Sequence, residues 1–446
     1  MKDRKVAVVG AGLVGSLWAV YMAKRGYQVD VFDRRTDIRK MKVVQGKSIN
    51  LALSDRGWRG LEGAGLGEEI KQVALPMFGR LMHNVDGSET YQPYGGDGQA
   101  IYSVSRGLLN QTLVHCADRH EGVNLFFDHR CLDIDLASNE IEFQNDATGE
   151  IVRKKYDCIF GTDGAFSAVR TRLVKQERYD YSQTYLNHGY KELEIPANAD
   201  GTHQLRKDCL HIWPRGEFMM IALPNVDGSF TCTLFIAFEG KDSFENLKDD
   251  ASVRAFFEKN FADAVPLMPE LTDDFFSNPN ASLVMVKCHP WNYKGKIALM
   301  GDACHAIVPF YGQGMNCGFE DCTVLNKMLD EHNDNLDTVL PEFSKLRKPD
   351  ADAILELALR NYIEMRDLTG DPEFLLQKKI EARFSKKYPE KWIPLYSQVT
   401  FSDIPYHQAL ANGDRQQVIM SEIMKMDNIE EMWDSEVVEK RILEMI

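Results

Sequence analysis

The chain has 446 residues, which exceeds the roughly 250–300 residues that one hydrophobic core serves, so we expect more than one domain. Its formal net charge of -15 argues against a nucleic-acid surface, because phosphate binding depends on clustered lysine and arginine. Nine cysteines without a C-x-x-C pair argue against a disulfide framework or structural zinc and fit a reducing, cytoplasmic location.

The first apolar stretch could be mistaken for an export signal. It follows the basic start MKDRK, but its glycines at positions 10, 12 and 15 have a spacing that a strand and a helix explain and that a signal peptide does not require. After Gly413, charged residues interrupt every short apolar run. We therefore expect neither an export signal nor a membrane anchor.

The N-terminal segment predicts a βαβ unit. Lys5–Val9 and Gln28–Phe32 are typical of buried parallel strands, and GAGLVG followed by a helical pattern lies between them. Glycines at this spacing allow a tight turn and a close approach to a pyrophosphate at a helix N-terminus. A glycine turn without a ligand is the alternative. The residues expected to contact a dinucleotide are Gly10, Gly12, Val14, Gly15, Asp33 and Arg34.

Asp33 indicates which dinucleotide the segment favours. It ends the second predicted strand, 18 residues after Gly15, where a carboxylate can accept hydrogen bonds from the adenosine ribose. A carboxylate there would repel a 2′-phosphate, so FAD or NAD is favoured over NADP at this site.

Two further segments predict acidic residues at strand ends. Asp163 follows the short apolar strand predicted at Asp157–Phe160, where it either contacts a ligand or caps a helix, and the residues leave both open. Asp302 follows the strand predicted at Lys296–Met300, ahead of a glycine-rich helix start at 312–316. Two acids and two such helix starts exceed what NAD needs, whereas FAD would also use them for its ribityl chain and its reducible ring.

The middle and the end of the chain differ in the periodicity of their apolar residues. Alternating runs predict antiparallel strands at Tyr185–Ile195, Cys209–Trp213, Phe218–Leu223 and Phe230–Phe238. After Leu325 the pattern is mostly helical, and the helices are expected to be separated at Pro349, Pro372, Pro389, Pro394 and Pro405.

The expected fold is α/β, with an antiparallel sheet inserted into a Rossmann-like domain. We predict a Rossmann-like FAD-binding domain over residues 1–180 and 281–330 and an antiparallel-sheet substrate domain over 181–280. A helical C-terminal region over 331–446 is expected to cover the active site.

Three segments together resemble a known family. GAGLVG, GTDGAFSAVR and GDACHAIVPFYGQGMN look like the three fingerprints of the single-component FAD aromatic hydroxylases, and the resemblance covers nearly the whole chain. Further segments, GRLMHNVDG with QPYG, SVSRGLLNQTL, RNYIEMRD and IPLYSQVTFS, are similar to the kynurenine 3-monooxygenase family within it. Two departures are small, since GDACHA replaces the more frequent GDAAHA and Asp33 stands where many relatives carry glutamate.

This resemblance implies a reaction and its partners. FAD would be the cofactor, NADPH and O2 the co-substrates, and L-kynurenine the substrate, which gains a 3-hydroxyl group through a C4a-hydroperoxyflavin. The ring amine makes that carbon electron-rich, so oxygen transfer needs little acid or base help, and we name no catalytic acid or base and no metal ligand. His305 is expected to be structural. The chain is expected to be a monomer or a homodimer.

The resemblance also implies site residues. Arg80, Tyr94, Asn361 and Tyr396 match the family's positions that hold the amino-acid end of the substrate. A guanidinium suits that carboxylate because it binds both oxygens. Pro309, Phe310 and alternate residues of Phe230–Phe238 are candidates for an apolar wall beside the ring. The remaining cofactor contacts implied are Leu53, Arg106, Leu132, Asp163, Asp302, Gly314, Met315 and Asn316.

Three alternatives remain open at this point. The chain could hydroxylate a simpler aromatic acid such as a benzoate, which Arg80 could also bind. It could be a flavin-dependent oxidase or dehydrogenase that never transfers oxygen to a substrate. It could instead be a flavoprotein without catalysis that binds a partner through its acidic C-terminal helices.

Overall fold

The computed structural model describes residues 4–41, 49–95, 98–365 and 371–446, so the last two residues of RNYIEMRD lie outside the described residues. The strands are β1 Lys5–Val9, β2 Gln28–Phe32, β3 Asn50–Leu53, β4 Ala74–Met77, β5 Gly79–His83, β6 Glu89–Pro93, β7 Ile101–Ser105, β8 Val123–Phe126, β9 His129–Asp135, β10 Glu140–Asn145, β11 Ile151–Lys155, β12 Cys158–Gly161, β13 Asp180–Ile195, β14 Cys209–Pro214, β15 Met219–Pro224, β16 Phe230–Ala237, β17 Ala281–His289, β18 Asn292–Tyr293 and β19 Ile297–Leu299. The α-helices are α1 Leu13–Lys24, α2 Asp55–Gly63, α3 Gly67–Lys71, α4 Arg106–Asp118, α5 Ala168–Leu173, α6 Asp250–Asn260, α7 Leu271–Ser277, α8 Asp302–His305, α9 Gly314–Glu331, α10 Leu336–Ile363, α11 Pro372–Lys387, α12 Leu395–Thr400, α13 Tyr406–Ile423, α14 Ile429–Met432 and α15 Glu436–Met445.

The first sheet confirms the predicted Rossmann-like layer. Within the described residues it has six strands in the order β18-β19-β12-β1-β2-β8. β1 pairs in parallel with β2 and with β12, which in turn pairs in parallel with β19. The carboxyl ends of these strands therefore meet at one edge, and this is the edge at which such sheets bind ligands.

The backbone is unusually crowded where β1 runs into α1. A Cβ atom on Gly15 would lie 1.9 Å from the Gly10 carbonyl oxygen and 2.4 Å from Thr162 Oγ1. The Thr162 hydroxyl donates to the Val9 and Gly10 carbonyls, both at 2.9 Å. Only glycine at position 15 lets α1 pack this close to the ends of β1 and β12.

The second large sheet lies beyond this edge. In the described part of the chain it has seven strands in the order β17-β13-β16-β15-β14-β5-β6. All pair antiparallel except β14 and β5, which are parallel with Arg80 opposite Leu210. The sheet therefore contains strands from residues 79–93 and 281–289 as well as from 181–280. The sequence did not predict β5 in this sheet, because a parallel pairing between segments some 130 residues apart leaves no mark in a local pattern.

The helical end of the chain is confirmed, with one correction. Pro372 opens α11, and Pro394 and Pro405 precede α12 and α13, as predicted. Pro349 does not end a helix, because α10 continues through it from Leu336 to Ile363. The helix persists since its buried apolar side chains pack against α9, α13 and the seven-stranded sheet, and this packing outweighs the hydrogen bond that proline removes.

We predict that Gly15→Ala destabilises the ligand-free protein. Overpacking against fixed backbone costs about 1–3 kcal/mol, so the midpoint of thermal unfolding should fall by about 1–3 °C in a chain of this length. Gly314→Ala is the matched control, since its added Cβ would meet nothing closer than 3.9 Å at the start of α9. Equal midpoints for the two variants in differential scanning calorimetry would contradict the crowding described here.

Candidate active site

One cavity of about 560 Å³ runs from the edge of the six-stranded sheet to the face of the seven-stranded sheet. It brings together most of the residues predicted from the sequence. Those that line it are Gly10, Gly12, Val14, Asp33, Arg34, Arg80, Tyr94, Arg106, Asp163, Asp302, Pro309, Phe310, Gly314, Met315 and Tyr396. Five predicted residues do not line it, namely Gly15, Leu53, Leu132, Asn316 and Asn361.

The first end of the cavity is built for a dinucleotide. Gly10 has φ +105° and a Cβ there would lie 2.6 Å from the Thr162 carbonyl oxygen, so the turn requires glycine. A Cβ on Gly12 would meet nothing within 4 Å and would project into open space. One oxygen of Asp33 accepts from the Ala11 amide at 2.9 Å, and the carboxylate also pairs with Arg35 at 3.0 Å. The acid is therefore fixed at the strand end where a ribose hydroxyl is expected.

The two other acids of the sheet edge differ in what they bind. Asp163 accepts hydrogen bonds from the hydroxyl of Ser167, the N-cap of α5, at 2.5 Å and from the Ala168 amide at 2.7 Å, so it supports the start of α5 while lining the cavity. Burial raises the pKa of Asp163, against the lowering effect of these hydrogen bonds. Asp302 begins α8 and also lines the cavity. Asp163 therefore both bonds to the start of α5 and faces the cavity, so the two alternatives left open by the sequence do not exclude each other.

α9 closes the middle of the cavity with its N-terminus. Gly314 and Met315 line the cavity, and the 18 residues of α9 direct a partial positive charge toward it. Asn316 lies one step behind, where its Oδ1 accepts from the Ser54 amide at 2.9 Å and its Nδ2 donates to the Ala52 and Gly312 carbonyls, both at 2.8 Å. The Asn316 side chain thus ties α9 to the β3–α2 turn.

At the far end of the cavity, the Arg80 cation lies beside a stack of aromatic rings. Arg80 lies on β5 with its guanidinium 4.8 Å from the Tyr396 ring centre and 5.4 Å from that of Tyr94. The two tyrosine rings stack on each other at 5.3 Å, and Tyr311 stacks on Tyr396 at 5.6 Å. Tyr311 was missed in the sequence, where nothing separates it from the apolar residues around it.

The Arg80 cation has no carboxylate partner. No described carboxylate lies within 4.0 Å of its nitrogens, and Arg80 Nε and the Tyr94 hydroxyl are shielded from solvent without a hydrogen-bond partner. Burial lowers the pKa of Arg80, but the neighbouring Tyr396, Tyr94 and Glu364 raise it, with a net upward shift. Burial raises the pKa of both tyrosines, so their hydroxyls stay protonated beside a permanent cation.

The wall between the cation and α9 is apolar. Pro309 and Phe310 line it as expected, and Phe310 packs on Phe235 with ring centres 5.0 Å apart. Alternate residues of the neighbouring strand complete the wall. They are Met219, Ile221 and Leu223 of β15. The period-two pattern of Phe218–Leu223 could have identified them, because β15 pairs with β16 and shares its inner face.

Asn361 occupies a different position from the one expected. It is 7% exposed, and its side-chain amide donates to the Phe310 carbonyl at 2.7 Å. It therefore holds the loop that carries the apolar wall. Leu53 is fully buried beneath the cavity and Leu132 is exposed on β9, while the next residue to Leu132, Cys131, lines the cavity.

His305 belongs to a buried ion network behind the cavity. Its Nε2 lies 2.5 Å from Asp321 Oδ2, and the other oxygen of Asp321 accepts from Arg347 Nε at 2.9 Å. Burial lowers the pKa of His305, but the Cys317 and Asp321 side chains raise it well above its usual value. The histidine does not line the cavity, so its role is to fix α8 against α9.

Within the described residues, no helix is both long enough and apolar enough to cross a membrane.

Solved structures support the fold. A tetrameric 2-methyl-3-hydroxypyridine-5-carboxylic acid oxygenase has a TM-score of 0.67 at 20% identity, and the match covers 88% of this chain and 99% of that one. PqsL from Pseudomonas aeruginosa, solved with 2-aminobenzoylacetate, has a TM-score of 0.61 at 20% identity over 82% of this chain and 97% of that one. At these identities the likeness establishes the fold alone.

Sequence relatives establish the family. Residues 3–358 match the family described as FAD binding domain. A kynurenine 3-monooxygenase from Flavobacterium johnsoniae is 54% identical over 99% of this chain and 98% of its own length. One from Sus scrofa is 44% identical over 93% of this chain and 88% of its own length. The chain therefore belongs to the FAD-binding monooxygenases and, among them, to the kynurenine 3-monooxygenase family.

Proposed function

We propose that the chain hydroxylates L-kynurenine to 3-hydroxy-L-kynurenine, with FAD as cofactor and NADPH and O2 as co-substrates. One oxygen atom enters the ring, the other leaves as water, and NADPH supplies the two electrons. The observation that carries the proposal is the Arg80 cation, which has no carboxylate within 4.0 Å among the described residues and faces the same cavity as the dinucleotide edge. The relatives named above support the substrate.

The described residues fit FAD. At the two glycine-rich helix starts, an added Cβ on Gly12 would enter open space and one on Gly314 would meet nothing closer than 3.9 Å, so both backbones are accessible to a ligand. Gly10, Gly12 and Val14 would hold the pyrophosphate, Asp33 and Arg34 the adenosine end, and Arg106, Asp163 and Asp302 the middle of the cofactor. Gly314 and Met315 would meet the ring. When bound, FAD supplies the redox chemistry that accepts a hydride and activates O2.

Arg80 would bind the carboxylate of the substrate. A guanidinium and a carboxylate form two parallel hydrogen bonds, and here the pair would form in a site largely closed to water. The Tyr94 hydroxyl has no partner in the described chain, so it is free to hydrogen-bond the amino-acid end. Tyr396 stacks on Tyr94 and lies beside the same guanidinium. Asn361 would act through the Phe310 loop.

The apolar wall would orient the aromatic ring. Phe235, Pro309 and Phe310 offer flat surfaces toward α9, and Met219 and Ile221 fill the space beneath them. These side chains exclude water, which protects reactive intermediates from side reactions. Because the ring amine already activates the carbon that is hydroxylated, positioning replaces acid–base catalysis.

A cytoplasmic location and a monomeric or homodimeric state remain predictions from the sequence. The nine cysteines are all free in the structure.

The proposed reaction is tested on the FAD-loaded protein. Aerobic NADPH oxidation should accelerate on addition of L-kynurenine, and mass spectrometry should show a product heavier by one oxygen atom. Acceleration with peroxide and unaltered kynurenine would contradict oxygen transfer. Turnover with benzoates but not with kynurenine would instead support the simpler aromatic acid as substrate.

We predict that Arg80→Met raises the KM for kynurenine by about 100-fold or more, because truncating one partner of a buried charge pair costs about 2–5 kcal/mol. Arg206→Met is the matched control. Arg206 also lies beside a tyrosine, 4.9 Å from the Tyr91 ring, but it is half exposed and paired with Asp208 at 2.9 Å. A KM that changes equally in both variants would contradict the assignment of Arg80.

We also predict that the dissociation constant of kynurenine is constant between about pH 6 and pH 8, a range in which an arginine with a raised pKa stays charged and tyrosines with raised pKa values stay neutral. Titration of flavin absorbance with kynurenine would measure it. A sigmoidal change within this range would show that a titrating group, and not Arg80, holds the carboxylate.

A further inference from the structure

Helix α2 lies between the cofactor side of the cavity and the C-terminal helices. A Cβ on Gly57 would lie 2.3 Å from Asn316 Oδ1, and one on Gly60 would lie 2.8 Å from Phe319 Cβ. The α2 backbone therefore packs directly on α9, close to its N-terminus. A displacement of α2 would therefore shift the first residues of α9.

The neighbouring face of α2 carries two arginines that reach the end of α12. Arg56 is 1% exposed. Its Nε donates to the Val399 carbonyl at 2.8 Å, and another of its nitrogens donates to the Ile404 carbonyl. Arg59 donates to the Ser402 carbonyl at 3.0 Å. These carbonyls belong to the last turn of α12 and to the segment that follows it.

α12 needs such partners. It has six residues, and the last four carbonyls of any helix lack partners within the helix. A helix this short is not stable by itself in water, so its position depends on tertiary contacts. A guanidinium at its C-terminal end supplies donors and a favourable charge together.

Arg56 is itself held in place. It pairs with Glu320 of α9 at 2.5 Å and lies 4.0 Å above the Tyr406 ring. The second oxygen of Glu320 pairs with Arg347 at 2.8 Å. The buried charge is therefore compensated, and its remaining donors are directed at α12.

Tyr396 is the second residue of α12 and the central ring of the Tyr94–Tyr396–Tyr311 stack. We propose that Arg56, assisted by Arg59, is a positioning residue that anchors α12 and so places Tyr396 against Arg80. Arg56 does not line the cavity. The inference rests on the proposed function for its kinetic consequence, but not for the anchoring itself.

Two readouts test the proposal on the FAD-loaded protein. Arg56→Lys keeps a charge beside Glu320, but one ammonium group cannot span the α12 carbonyls, so the KM for kynurenine should rise about tenfold, the loss of one charged hydrogen bond. The kcat at saturating kynurenine should change less than about twofold, because the reacting groups are untouched. Hydrogen exchange of residues 395–404 should become faster without substrate present.

Arg59→Met removes a single contact with the same segment and should show the same two changes at about two- to threefold in KM. Arg360→Gln is the control, because Arg360 joins α10 to α13 through Asp414 with its side chain about half exposed and does not touch α12. Unchanged exchange at 395–404 in Arg56→Lys, or in Arg59→Met where the first variant does not fold, would overturn the anchoring. If hydrogen exchange at 395–404 is faster in the variants but kynurenine does not accelerate NADPH oxidation by the wild type, the anchoring is supported and the proposed function is rejected.

Discussion

The candidate site depends on the positive charge of Arg80, which no described carboxylate pairs within 4.0 Å. A guanidinium taken out of water is costly unless a counter-charge or hydrogen bonds replace the lost solvation. Most other deeply placed arginines of the described chain have such partners, as Arg347 has with Asp321 and Arg56 with Glu320. Arg80 lies beside two aromatic rings, and none of the described carboxylates comes within 4.0 Å of it. The missing partner is what a ligand with a carboxylate would bring.

The fold holds this charge at a fixed distance from the dinucleotide edge. β5 carries Arg80 and is held between β14 and β6, so its position follows from the seven-stranded sheet. α9 runs from the cavity into a buried network in which Asp321 accepts from His305 and Arg347. Helix α9, which begins at the cavity, is therefore anchored at its middle by charge and at its start by the Asn316 side chain.

The sequence predicted what is written locally. Strands with period-two patterns, such as Phe230–Phe238, and the glycine turn of GAGLVG were predicted because the pattern and the structure lie in the same few residues. The β5–β14 pairing joins distant segments, and Pro349 lies within a helix that tertiary packing sustains, so neither could be read from neighbours. Resemblance pointed to Arg80, Tyr94 and Tyr396, which the structure brings together, but it could not show that Asn361 donates to the Phe310 carbonyl. Arg56 carries no sequence signal, since its partners are backbone carbonyls more than 340 residues away.

The contact between Arg80 and the substrate carboxylate is tested most directly by a thermodynamic cycle that combines a protein variant with a ligand analogue. The dissociation constants of L-kynurenine and of its analogue without the carboxylate would be measured for the wild type and for Arg80→Met, on FAD-loaded protein. We predict that losing the carboxylate weakens binding to the wild type by about 100-fold and barely affects binding to the variant, because the two groups interact with each other. Equal losses in both proteins would show that Arg80 and the carboxylate do not meet, and would contradict the account.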